Sequence, residues 1–111
     1  MEIQEQRHGA VTVLKPMGPI LVGESVILRQ RLAEAISRSM GRCIIDATLI
    51  AYVDSTGLEL LVETADDLAE SGRSLRVCNA TETLREVFDL TGVADRFEHY
   101  DDVNGAVRSF L

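Results

Sequence analysis

The stretch from residue 43 to residue 69 combines two patterns that constrain the fold more than any other part of the sequence. Its first part, CIIDATLIAYV, is apolar and rich in β-branched residues, which is typical of a buried strand and the segment that follows it. Beyond it, apolar residues recur at helical spacing between acidic ones, and we expect them to face the core: Leu58, Leu61, Val62, Ala65, Leu68 and Ala69. A buried strand followed by an amphipathic helix indicates an α/β fold with a parallel sheet.

The same alternation of strands and helices extends over the rest of the chain. Residues 2–15 alternate in polarity around a His-Gly pair and predict a hairpin of two short strands, whose polarity indicates the edge of a sheet. A first helix is predicted over 24–40, a third begins at Thr81, and a last one begins at Asp101 or Asp102. We therefore predict an α/β fold with a mixed, mainly parallel β-sheet, an N-terminal hairpin and about four α-helices.

Size and composition exclude several classes of function. The 111 residues suit one domain, 1–111, and a formal charge of −7 disfavours binding to nucleic acid. No apolar run is long enough for a membrane span or a signal peptide, so we expect a cytoplasmic protein with no membrane partner. Cys43 and Cys78 lie in apolar runs and His8 and His99 stand alone, which indicates no metal site and no cofactor.

The segment DSTGL, residues 54–58, lies where the predicted strand region passes into the second helix, and it allows two interpretations. Thr56 and Glu59 have the spacing of a capping box, in which the hydroxyl and the carboxylate satisfy free amides at the helix start. Ser55 would then lie just outside the helix, with its hydroxyl free beside unpaired amides that favour a phosphate group. A serine hydrolase is disfavoured because no G-x-S-x-G motif surrounds Ser55, and we expect no enzymatic activity.

Two motifs resemble the STAS domain of bacterial anti-sigma factor antagonists. The first is D-S-T-G-L at 54–58, and the second is F-D-L-T-G-V at 88–93, at the end of the third predicted helix. The resemblance implies that Ser55 is phosphorylated by an anti-sigma factor that is itself a serine kinase, and that a phosphatase removes the phosphate. The unmodified form would bind the anti-sigma factor and release a sigma factor. The implied partner-binding residues are Asp54, which would orient Ser55, then Ser55, Thr56 and Gly57, which would keep the turn tight, and Glu59.

One segment departs from the family pattern. Antagonists of this family usually carry G-E-[LIV]-D before the first helix, whereas this chain has GPILVGES, in which Pro19 follows Gly18 and the nearest carboxylate is that of Glu24. The departure leaves a second function open. The chain would then be a constitutive scaffold or regulatory subunit of a stress-signalling or transport assembly, and Ser55 would never be modified.

Overall fold

The computed structural model describes all residues from Met1 to Leu111 and contains a single five-stranded sheet with helices on both faces. The strands lie in the sheet in chain order, with the first pair antiparallel and the other pairs parallel, which confirms the predicted fold. The elements are β1 (Ile3–His8), β2 (Val11–Pro16), α1 (Val22–Ser39), β3 (Cys43–Asp46), α2 (Ser55–Glu70), β4 (Leu75–Cys78), α3 (Glu82–Leu90), a 3₁₀ turn (Ala94–Arg96), β5 (Phe97–Tyr100) and α4 (Val103–Arg108).

The N-terminal hairpin forms as predicted, but only its first strand lies at the edge of the sheet. His8 pairs with Val11 across a two-residue turn, in which Gly9 has a φ of +64° that glycine adopts without strain. Strand β2 pairs with β1 on one side and with β3 on the other, and nearly all of it is buried. The expectation of two edge strands is therefore right for β1 and wrong for β2.

The core lies in two layers, one on each face of the sheet. Because side chains alternate along a strand, Leu14 and Ile45 face α1, α2 and α3, whereas Val13 and Ile44 face α4. The three-helix side contains the larger cluster of buried apolar residues, and Ala106 anchors α4 on the other side. No helix combines the length and the apolar character that a membrane crossing requires.

The buried stripe of α2 differs from the predicted one by a small rotation of the helix. The prediction is right for Leu61, Ala65 and Leu68. It is wrong for Ala69, which is exposed, and Leu58 and Val62 are only half-buried. The residues that α2 buries are Gly57, Leu60, Leu61, Thr64, Ala65 and Leu68.

Polar Thr64 is accommodated in this stripe because its hydroxyl donates to the Leu60 carbonyl over 2.8 Å. The helix is rotated because Gly57 faces inward, where it packs against another segment of the chain.

That other segment is the connection between β2 and α1, which runs beside the connection between β3 and α2. Ile20 and Val53 form an isolated parallel bridge, in which the Ile20 amide donates to the Tyr52 carbonyl and the Asp54 amide donates to the Ile20 carbonyl. A Cβ atom on Gly57 would lie 2.3 Å from the Ile20 carbonyl oxygen, far inside van der Waals contact. Glycine at this position therefore allows the starts of α1 and α2 to meet.

We predict that Gly57→Ala destabilises the protein, because the new methyl group must displace the backbone of Ile20. Overpacking of this kind costs about 1–3 kcal/mol. The matched control is Gly23→Ala in the first turn of α1, where an added Cβ meets nothing within 4 Å. That change should be neutral or should stabilise by up to about 1 kcal/mol through helix propensity. Urea unfolding of the two variants measures both effects, and equal stabilities would contradict the close approach at Gly57.

Candidate functional site

Asp54 is the residue on which the DSTGL segment is organised. Its backbone is extended and it forms the N-cap of α2, where one carboxylate oxygen, Oδ1, accepts a hydrogen bond from the Gly57 amide over 2.8 Å. The other oxygen, Oδ2, accepts from the amide of Val22, the first residue of α1, over 2.9 Å. One carboxylate thus satisfies free amides at the starts of two helices.

This arrangement compensates for an apolar residue at the start of α1. Leu21 occupies the N-cap position of that helix and has no side-chain acceptor to offer. Asp54 supplies the missing acceptor from 32 residues away in the sequence. Each helix start carries roughly half a positive charge, so two of them about offset the single negative charge of Asp54.

The predicted capping box of Thr56 and Glu59 is wrong. Asp54 is the cap instead, and Ser55 is the first residue of α2 rather than a residue outside it. The side chains of Thr56 and Glu59 make none of the hydrogen bonds that a capping box requires. An aspartate one turn before Gly57 serves α2 equally well and also reaches α1, a contact that no local spacing reveals.

Ser55 is the one residue of this segment whose functional group is both exposed and uncommitted. Its side chain lies at the surface on the first turn of α2, and its hydroxyl makes no hydrogen bond within the protein. Both carboxylate oxygens of Asp54 already accept from backbone amides. The Ser55 hydroxyl makes no hydrogen bond to Asp54, whose side chain contacts the two helix starts through backbone amides.

The other predicted residues differ in how much surface they present. Glu59 is exposed, Asp54 and Thr56 are half-buried, and Gly57 is buried. Gly57 lies within the first turn of α2, and the group that approaches it closely is the backbone of Ile20 in the same chain.

The sequence on either side of Ser55 is acidic and contains no basic residue. Neither residues 16–28 nor residues 43–72 include a lysine or an arginine. Farther along α2, Glu63 pairs with Arg29 over 2.9 Å and Asp66 pairs with Arg96 over 2.8 Å, as expected for a solvated helix face. Nowhere do three histidine, cysteine, aspartate or glutamate side chains lie close enough together to bind a metal ion.

The cysteines and histidines contribute nothing to this site. Both thiols are free and buried, and burial is the main cause that raises the pKa of Cys43 and that of Cys78 to about 12. Such thiols stay protonated and unreactive at neutral pH. His99 lies on β5, where its Nε2 is 2.7 Å from the carbonyl oxygen of Ala94, and His8 is exposed at the hairpin.

We predict that Asp54→Ala destabilises the protein by about 2 kcal/mol, since a typical N-cap contributes about 1 kcal/mol and this side chain caps two helices. Asp102→Ala is the matched control, because Asp102 caps only α4, through a 2.7 Å bond from the Gly105 amide. It should lose about half as much. The free energies of unfolding of both variants measure the difference, and equal losses would show that the bond to Val22 adds no stability.

Known proteins share both the sequence pattern and the fold. The profile of the STAS domain matches residues 2–106. The anti-sigma-B factor antagonist of Bacillus subtilis (strain 168) is 34% identical over 80 residues, which cover 70% of this chain and 71% of that protein.

Two solved proteins have the same fold at low sequence identity. A putative anti-sigma factor antagonist from Thermotoga maritima superposes with a TM-score of 0.87 at 15% identity, over 96% of this chain and 92% of that one. The anti-sigma factor antagonist SpoIIAA in its unphosphorylated form gives a TM-score of 0.76 at 18% identity, over 98% and 96% of the two chains. The phosphorylated form of SpoIIAA, from Bacillus, gives 0.71 at 18% identity, over 97% and 99%. The protein therefore belongs to the STAS domain family, together with the anti-sigma factor antagonists that it resembles.

Proposed function

We propose that this protein is a phosphorylation-switched anti-sigma factor antagonist. The unphosphorylated form binds a kinase-type anti-sigma factor and so releases a sigma factor, and phosphorylation of Ser55 ends the binding. A phosphatase restores the active form. The chain itself acts as a non-enzymatic binding protein in the cytoplasm, where its partners act.

The observation that carries the proposal is the exposed Ser55 hydroxyl, which is free of internal hydrogen bonds on a helix start that Asp54 holds in place. A kinase can reach this hydroxyl without unfolding any part of the protein. The identity to the anti-sigma-B factor antagonist supports the choice of partner. The likeness to SpoIIAA, solved in unphosphorylated and phosphorylated forms, supports a fold that accommodates both states.

Electrostatics explain why a phosphate at Ser55 would act as a switch. In the unmodified protein, the charge of Asp54 is about offset by the two helix starts that it caps. A phosphate adds about −1.5 to −2 charges at pH 7. Glu59 is the next exposed ionisable residue along α2, and residues 43–72 contain no lysine or arginine, so this part of the chain supplies no basic side chain to offset the added charge. Any partner surface matched to the unmodified site then meets a strongly anionic one.

The partner-binding surface comprises the exposed Ser55 and Glu59 with the half-buried Asp54 and Thr56. Gly57 contributes by allowing the two helix starts to meet, since it is itself buried.

We predict that a purified kinase-type anti-sigma factor from the same organism transfers one phosphate from ATP to the wild-type protein and none to Ser55→Ala. Thr56→Val is the matched control, because it removes the neighbouring hydroxyl at similar volume, and it should still accept one phosphate. Phosphate incorporation and peptide mapping provide the measurement. Ser55→Ala should retain binding, whereas Ser55→Asp should weaken it by about tenfold, equivalent to about 1.4 kcal/mol.

Other outcomes contradict particular parts of the proposal. If the Ser55→Ala variant still incorporates phosphate, the modified residue is a different one. Binding without any phosphorylation, in the wild type and under all conditions, would favour the constitutive scaffold. Equal affinities of phosphorylated and unmodified protein would show that the phosphate is no switch.

A further inference from the structure

Strand β1 is an edge strand of the sheet, because it pairs with β2 alone. Four of its six residues are exposed, its pairing with β2 contains no bulge, and it carries no proline. Natural proteins usually protect such an edge, since its unpaired amides and carbonyls can pair with another strand. The opposite edge, β5, is only four residues long and is a poorer template for pairing.

The backbone groups of β1 point alternately toward β2 and away from the sheet. The Met17 amide donates to the Glu2 carbonyl, and from this pair onward the residues at even positions direct their amides and carbonyls at β2. The residues at odd positions direct theirs outward, and these residues are Ile3, Glu5 and Arg7. The outer side of β1 therefore offers a regular row of hydrogen-bonding groups.

A second copy of the chain is complementary to this row. If two β1 strands pair antiparallel about a twofold axis at Gln6, Glu5 of each copy lies opposite Arg7 of the other. Glu5 and Arg7 both direct their backbone groups outward, so the two pairs form four backbone hydrogen bonds. Both pairs join opposite charges, and the two Gln6 side chains, which can each donate and accept, meet at the axis.

Other registers of the same two strands are less favourable. An axis at Glu5 or at Arg7 would place two like charges opposite each other, and an axis at Gln4 would place Glu5 opposite Ile3. An axis between two residues would place odd positions opposite even ones, whose backbone groups already bind β2. The axis at Gln6 therefore combines matched backbone groups with matched charges.

The side chains of Glu5 and Arg7 are available for this pairing. Oε1 of Glu5 accepts hydrogen bonds from Arg31 over 3.4 Å and from Arg38 over 3.1 Å, whereas Oε2 accepts none. Arg7 is exposed and makes no ion pair within the chain. The guanidinium of Arg7 can therefore bind Oε2 of Glu5 in a second copy, and no internal bond has to break.

We propose that β1 is a self-association edge, at which two copies of this protein join their five-stranded sheets into one continuous sheet. The two β1 strands pair antiparallel, with Gln6 at the twofold axis. The proposal makes no use of Ser55 or of its kinase. It therefore goes beyond the proposed function and can fail without affecting it.

Cysteine cross-linking of the full chain tests the pairing and its register together. At the axis, the two Cα atoms of residue 6 would lie about 4.5 Å apart, within the range of a disulfide. We expect Gln6→Cys to form a disulfide-linked dimer under mild oxidation. Gln4→Cys is the matched control and should stay monomeric, because the two copies of residue 4 would lie about 14 Å apart. The native thiols of Cys43 and Cys78 are buried and should not interfere.

Charge reversal tests the same interface in a protein without an added cysteine. Arg7→Glu should weaken dimerisation at least tenfold in sedimentation equilibrium, because it places like charges opposite each other at both pairs. Arg108→Glu is the matched control, since it makes the same change at an exposed arginine of α4, and it should leave the dimerisation constant unchanged. Circular dichroism verifies that both variants are folded.

Amide hydrogen exchange gives a third measurement, on the wild type. The amides of Glu5 and Arg7 should gain protection as the protein concentration rises, whereas those of Gln4 and Gln6 should be protected at every concentration because they donate to β2. A wild type that stays monomeric up to about 1 mM would overturn the proposal. Equal dimerisation of the two charge variants, or a linked dimer of Gln4→Cys in place of Gln6→Cys, would overturn it as well.

Discussion

The carboxylate of Asp54 is the interaction on which the rest of this site depends. It satisfies the amide of Val22 and the amide of Gly57, and it brings together two helices that begin far apart in the sequence. Because its two oxygens are both occupied, the side chain is fixed in one orientation. The result is a rigid platform on which the next residue, Ser55, presents a free hydroxyl to the outside.

The platform also depends on the absence of a side chain at Gly57. The Ile20 backbone passes so close that any Cβ would collide with its carbonyl oxygen, while the Ile20 amide and carbonyl pair with the backbone of Tyr52 and Asp54. Three residues of the DSTGL segment therefore differ in their structural roles. Asp54 joins the helices, Gly57 allows them to approach, and Ser55 keeps an exposed hydroxyl with no hydrogen bond inside the protein.

Much of the fold follows from sequence patterns, because strands and helices differ in the spacing of their apolar residues. The hairpin turn, the parallel strands and the caps at Thr81 and Asp102 all have local signals, and the structure confirms them. The rotation of α2 and the double cap have no local signal. They arise from the close contact of Ile20 with Gly57 and from the hydrogen bond of the Val22 amide to Asp54. Both contacts form only when the β2–α1 connection lies beside the β3–α2 connection.

The same limit applies to the candidate site. The sequence draws attention to the DSTGL segment, but the capping box assigned to Thr56 and Glu59 is a local interpretation, and the structure replaces it with Asp54.

The most direct test of the central claim is the mass of the intact protein purified from its native cells during growth and during stress, followed by peptide mapping across residues 43–73. The account predicts two populations that differ by one phosphate located on Ser55, in proportions that change between the two conditions. A protein that is unmodified under both conditions, or that carries its phosphate on Thr56, would contradict it.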